Sequence, residues 1–325
     1  MSLRLSFTSP GLAGLGGGLL AVFLFSLTMP MMRLAEADFQ PAVVGVGRMA
    51  IGAPLAAVVL VFLGWPRMDK RQVGRLFFVT ACLGFGFAFL LALALREVPS
   101  YHAAIVTGSI PLFTALMAAW RGGRRQTPAF WCAALAGSAL VAGYGVAKSG
   151  WVLTSADLML LLAAAACGIG YAEGAKLGAE IGQSRLACLM PIAAAPFAVV
   201  LCWNKLPVDW SHIAASSWVG LLYNAWISAF GAFFFWYAAL HRGGTARVGQ
   251  LQLIQPFFTL SVSAVFLHEA VSGSDWVTAG LVIGCVFAAQ RASRPPGQRL
   301  THEPVPDDTI YSFEPGAAPQ RIVRR

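Results

Sequence analysis

Charge is what this sequence has least of. Asp, Glu, Lys and Arg make up 11% of the 325 residues, against 58% hydrophobic, whereas a soluble globule carries about a quarter charged residues. So few ionic groups cannot cover a water-facing surface, so most of the surface must face lipid. Several chemical signatures are missing too. There is no GxxxxGK[ST] phosphate loop, so ATP-driven transport within this chain has no support. Without an HExxH, a GxSxG elbow or a carboxylate-rich cluster, the common hydrolase and metal chemistries have no footing, and no cofactor or metal is expected. The six cysteines, Cys82, Cys132, Cys167, Cys188, Cys202 and Cys285, form no CxxC pair and all fall in apolar runs. They read as packing residues.

What is present is apolar length. Runs near 12–32, 43–64, 74–95, 101–120, 129–147, 155–175, 184–203, 216–240, 246–267 and 275–291 each approach the length that crosses a bilayer. Arg4 precedes the first, as in a secretion signal, but the run is long and nine more follow, so a retained helix is expected. The net charge of +9 is read loop by loop. With the N-terminus in the cytoplasm, only Arg33, Arg96, Lys148 and Lys205 fall outside and Arg48 within a run, while every other Lys and Arg lies inside. The expected location is the cell (inner) membrane, with both termini cytoplasmic and no nucleic-acid partner. Residues 292–325 turn to Pro, Arg, Gly, Asp and Glu and are expected to be a disordered cytoplasmic tail.

The chain repeats itself with its charge reversed. Phe85-Gly86, Phe89, Ala94-Leu95, Pro111, Phe113-Thr114, Ala119 and Trp131 recur at an offset of 145 as Phe230-Gly231, Phe234, Ala239-Leu240, Pro256, Phe258-Thr259, Ala264 and Trp276. Between the Pro and the Trp, one copy carries Arg121, Arg124 and Arg125, and the other His268, Glu269 and Asp275. An odd number of spans per half sets the halves in opposite orientations. The expected fold is therefore an all-α integral membrane protein, with ten transmembrane helices as two inverted five-helix repeats, 12–147 and 155–291.

Arg33 ends a run, Pro41 follows, and Arg48 stands seven residues further on; Pro256 is followed by Glu269, Gly280 and Gly284. With the duplicated ten-span plan, this resembles the EamA-type branch of the drug/metabolite transporter superfamily over roughly residues 12–291. The resemblance implies a secondary transporter that moves small metabolites such as amino acids, often outward, through a central cavity between inverted halves. Small multidrug-resistance proteins of that superfamily rely on a carboxylate in the first span, and residues 12–32 hold none. The symmetry is also broken: Arg124 stands opposite Glu269, and Met190 opposite Arg48. Competing classes are a non-transporting structural or receptor-like subunit and a membrane-embedded enzyme.

Arg48 lies about 8 Å into its run at ~1.5 Å per residue. It is either a contact for a substrate carboxylate or a structural cation bonding backbone carbonyls. Gln252, Gln255, Thr259 and Ser263 share one helix stripe, matched by Thr107 and Thr114 beside Pro111. The substrate-binding candidates are Arg48, Gln252, Gln255, Thr107, Tyr223 and Asn224, the last two near a cavity mouth. Hydrogen-bonding glue between helices is the alternative for the polar stripe. Trp236 and Tyr237 read as an interfacial belt. Possible coupling groups are Glu173, which a pair with Lys176 would also explain, and His102, which a polar helix start would also explain. Gly14/Gly18 and Gly280/Gly284 read as close-packing pairs. Partners are a small-molecule substrate and the bilayer; a homodimer is left open.

Overall fold

A computed structural model of the chain describes residues 10–121, 127–148, 154–207, 209–243, 249–292, 310–312 and 320–322. It forms two compact units, Met1–Ser293 and Arg294–Arg325. In the second, strands β1 (Ile310–Ser312) and β2 (Gln320–Ile322) pair antiparallel. Most of the tail, where disorder is expected, lies outside the described residues, as do Arg124 and Arg125.

The first unit is helical. In chain order it runs α1 (Pro10–Ser26), α2 (Thr28–Ala35), α3 (Arg48–Leu63), α4 (Lys70–Thr80), α5 (Ala88–Ala94), α6 (Ser100–Thr107), α7 (Ile110–Arg121), α8 (Pro128–Lys148), α9 (Ser155–Ile181), α10 (Gln183–Cys202), α11 (Ala215–Leu222), α12 (Ala232–Gly243), α13 (Gln255–Phe266) and α14 (Gly273–Ala292). Many of these join end to end. π-Helical turns at Val43–Gly47, Ala81–Phe87 and Tyr223–Gly231 lead into α3, α5 and α12, and a 3₁₀ stretch, Gly249–Ile254, leads into α13. Among the described residues, six stretches are long and apolar enough to cross a membrane: Leu15–Ala35, Val43–Leu63, Lys70–Ala94, Ser155–Ile181, Gln183–Lys205 and Ala215–Trp236. Pro128–Val141, Leu251–Phe266 and Gly273–Ala289 are shorter apolar helices.

Local chemistry sets the boundaries. Asp69 opens α4 with a reciprocal cap: its Oδ1 accepts from the Gln72 N–H at 2.7 Å, and the Gln72 side chain accepts from the Asp69 N–H at 3.1 Å. Thr154 and Asp157 make the same box at α9. Gly182, at φ 98°, adopts the left-handed turn that separates α9 from α10. The rods pack through small residues, and at Gly168 a Cβ would stand 2.6 Å from Phe113 Cβ and 2.7 Å from Thr114 N, so α9 and α7 touch through their backbones there. The Gly280/Gly284 pair departs from expectation, since a Cβ at either would meet nothing within 4 Å. Their face of α14 is open, and the repeat spacing alone does not say which face of a helix meets a neighbour.

The outer surface is apolar. Phe62 is 85% exposed and Trp120 78%, with Val200, Trp203 and Phe266 close behind. Such continuous exposure of large side chains is untenable in water and natural in lipid. Trp236 is not part of a belt: it is buried and meets the Phe25 ring edge-on at 6.4 Å.

Candidate functional site

Two helix breaks face each other in the interior. The rod of α6 and α7 is interrupted between Thr107 and Ile110, one residue before Pro111. The other rod starts as 3₁₀ helix and becomes regular only at Gln255, next to Pro256. Proline cannot donate to the preceding turn, so each break falls on its N-terminal side. The breaks meet where the site of a Gly108 Cβ would lie 3.4 Å from Pro256 Cγ.

Around them lies a small, partly open cavity of about 90 Å³. Its walls include Arg48, Thr107, Gln252 and Gln255 from the sequence reading, together with Thr80, Tyr171, Thr259 and the apolar side chains of Phe25, Met29, Met49 and Phe233. Among the described residues Arg48 is the one charged side chain on the wall, and no carboxylate lines it. All three π-turns border this space: Arg48 directly follows the first, Leu83, Gly84 and Phe87 belong to the second, and Ser228 and Ala229 to the third. Single π-turns recur at functional sites.

Arg48 is 4% exposed. Its Nη1 donates to Asn224 Oδ1 at 3.2 Å, and Asn224 Nδ2 in turn donates to the Gly220 carbonyl at 2.9 Å. Nε of Arg48 is buried with no hydrogen-bond partner, and so is the hydroxyl of Thr80. Asn224 therefore lies behind Arg48 rather than at a mouth. Tyr223 is directed elsewhere, its hydroxyl donating to the Leu24 carbonyl at 2.8 Å. Both residues lie in a π-turn, whose i→i+5 spacing rotates side chains away from the faces a regular helix gives them. Thr107 and Thr259 line the cavity and also serve as glue, donating to the carbonyls of Ala103 at 2.7 Å and Ser26 at 2.9 Å.

The two coupling candidates lie away from this wall. Glu173 is buried, and its carboxylate stands 3.7 Å from Arg75 Nε, an ion pair across helices in place of the expected Lys176. His102 is no exposed helix start. It is buried with Nε2 2.7 Å from Asp157 Oδ1, and its ring sits 5.0 Å from that of Tyr144. The Tyr144 hydroxyl donates to Asp275 at 3.1 Å, and Asp275 accepts from the N–H and hydroxyl of Ser272, each at 2.7 Å. Sequence reasoning missed this network, although Thr154-x-x-Asp157 and Ser272-x-x-Asp275 both carry the spacing of a helix cap. No group of three His, Cys, Asp or Glu suited to a metal occurs among the described residues.

A second polar cluster ties the loops together. The Glu269 carboxylate accepts from the N–H groups of Ser100 and Tyr101 at 3.0 and 3.2 Å, and lies 3.4 Å from Arg33 Nε. Arg33 Nη1 donates to the carbonyls of Leu95 and Val98 at 2.8 and 2.7 Å. His268, at φ 51°, makes the sharp bend that precedes Glu269. Near Arg33 and Arg96 sits Glu36, just past α2, both of its carboxylate oxygens buried without a partner. Burial pushes its pKa from 4.5 to about 8, with Arg96 and Arg33 opposing. The fold thus keeps a proton that the unfolded chain releases above its ordinary pKa, so stability is expected to fall as pH rises from about 4.5 to about 8. Melting curves across that range should show the decline, and Glu36→Gln should flatten it.

The comparisons agree with this architecture. The sequence model of the EamA-like transporter family matches the chain twice, at residues 12–143 and 154–289. A protein of Bacillus subtilis (strain 168) named "Uncharacterized transporter YdeK" is 38% identical over 277 residues, which cover 85% of this chain and 96% of that one. A solved structure titled only "Crystal structure of protein" has the same fold, with a TM-score of 0.58 at 22% identity, covering 87% of this chain and 99% of that one. The chain belongs to the EamA-like transporter family and is a multi-pass membrane transporter.

Proposed function

We propose that the protein is a secondary transporter that exports small carboxylate-bearing metabolites, amino acids or related zwitterions and anions among them, by alternating access. The observation that carries this reading is a buried arginine with an unpartnered Nε on the wall of a cavity where two broken helices meet. An intramembrane guanidinium is costly, and it suits a ligand that supplies the missing acceptor. Arg48 takes the carboxylate, Thr107, Gln252 and Gln255 bind its polar remainder, and Asn224 positions Arg48 from behind. Tyr223 braces α1. In this reading the helices form ten spans, five in each of two inverted halves, 12–147 and 155–291, in the inner membrane with both termini cytoplasmic. The halves rock about the cavity. Glu173 and His102 are coupling candidates only through their neighbours, since neither lines the wall.

Liposomes containing the purified protein should take up labelled amino acids and carboxylates from a broad panel by counterflow, and empty liposomes should not. Failure to move any solute of the panel would discard the transporter mechanism proposed here.

A further inference from the structure

Two residues of the cavity wall carry buried donors that lack acceptors, and no acid among the described residues lines that wall. Arg48 Nε and the Thr80 hydroxyl are both buried and unbonded, and both belong to the same wall. The guanidinium is already fixed on its Nη1 side by Asn224 Oδ1, so its edge is oriented before any ligand arrives. The remaining polar wall is neutral: the amides of Gln252 and Gln255, and hydroxyls such as Thr107 and Thr259.

An amino acid would carry its ammonium within a few ångströms of its own carboxylate, and so close to the guanidinium. In a site of low polarity two like charges repel strongly, and burial penalises an ammonium that finds no anion. A carboxylate without an amine escapes both penalties. Its oxygens supply the acceptors that the guanidinium and the threonine hydroxyl lack, and its apolar body faces Phe25, Met29, Met49 and Phe233.

Resting on the transporter reading above, we infer that the preferred substrate of this cavity is an apolar carboxylate that carries no ammonium group, held by Arg48 and Thr80. The test is a thermal-shift and binding titration of the full chain in detergent with two matched series. One is 4-methylpentanoate, leucine and isoamylamine; the other is 3-phenylpropionate, phenylalanine and phenethylamine. The acid of at least one series should bind about tenfold tighter than its amino acid, and the amine should not bind. Arg48→Gln should weaken the acid by about tenfold or more, and Thr80→Val by several-fold, with melting temperatures of the unliganded variants close to that of the wild type. Should Arg48→Gln fail to fold, Arg48→Lys, which keeps the charge and loses the fork, gives the same comparison, and Thr80→Ala does so for Thr80→Val. Amino acids binding as tightly as the acids, or amines binding best, would overturn the inference and leave the transporter reading standing. Absence of any shift from either acid overturns it too, and the counterflow panel then shows whether the transporter reading falls with it.

Discussion

Arg48→Met is expected to melt no lower than the wild type when no ligand is present, and to transport nothing. The two effects share one cause. Arg48 is 4% exposed, makes its one described hydrogen bond to Asn224, and forms no ion pair among the described residues. Replacing a buried ionic group by an apolar side chain of similar volume is often neutral or stabilising by roughly 1–4 kcal/mol. Against that stands the amide oxygen of Asn224, left without its donor at a cost of about 1–3 kcal/mol. Arg48→Met combined with Asn224→Leu removes that orphan and should show the gain more fully. Sites built to bind commonly trade stability for function in this way. Melting curves of both variants beside counterflow assays are the check. A lowered melting temperature, with transport lost only in proportion to folded protein, would make Arg48 a strut of the fold instead of a ligand contact.

Why Arg48 was legible in the sequence and Asn224 was placed differently comes down to what each residue costs. A charge inside an apolar run announces itself, because lipid penalises it wherever it points. The stripe of Gln252 and Gln255 and its counterpart Thr107 were readable for a related reason: polar side chains beside a proline, in both copies of a repeat, mark a helix break. Tyr223 and Asn224 carry no such label. Their helix is apolar on most sides, so its pattern does not select a face, and the π-turn at 223–231 shifts the angle of every residue that follows. Thr80 escaped notice because a lone threonine in an apolar helix is ordinary; only its unbonded hydroxyl on the cavity wall singles it out. Glu36 left no trace either, since a glutamate at a helix end normally faces water. The apolar rods and the duplication were open to inspection, while the register of one rod against another depends on contacts such as Gly168 on Phe113 that no spacing encodes.

The same short helix that carries Ala104 and Thr107 on the cavity wall carries the Glu269 contact at its other end. Ser100 and Tyr101, in the first turn of α6, donate their N–H groups to that carboxylate, and Ala104 lies one turn further along. Helix N-termini favour negative charge, and a hydrogen bond to a charged group contributes about 1.5–3 kcal/mol. Arg33 adds its ion pair and ties in the 95–98 turn through two carbonyls. Residues of both repeats thus close on one carboxylate above the cavity, at the face proposed to be extracellular. The alternating access proposed above requires that face to part, so in that reading the strength of this contact would set how often it does. Glu269→Ala removes the acceptor from both N–H groups and the ion pair from Arg33. In a background with the six cysteines replaced, a cysteine at Ala104 should then react with a membrane-impermeant maleimide from that face about tenfold faster, the factor that ~1.4 kcal/mol supplies. Glu269→Gln, which keeps the shape and loses the charge, should fall between. An unchanged labelling rate in a variant that is folded and inserted would show that the carboxylate fastens the loops without governing access to the cavity.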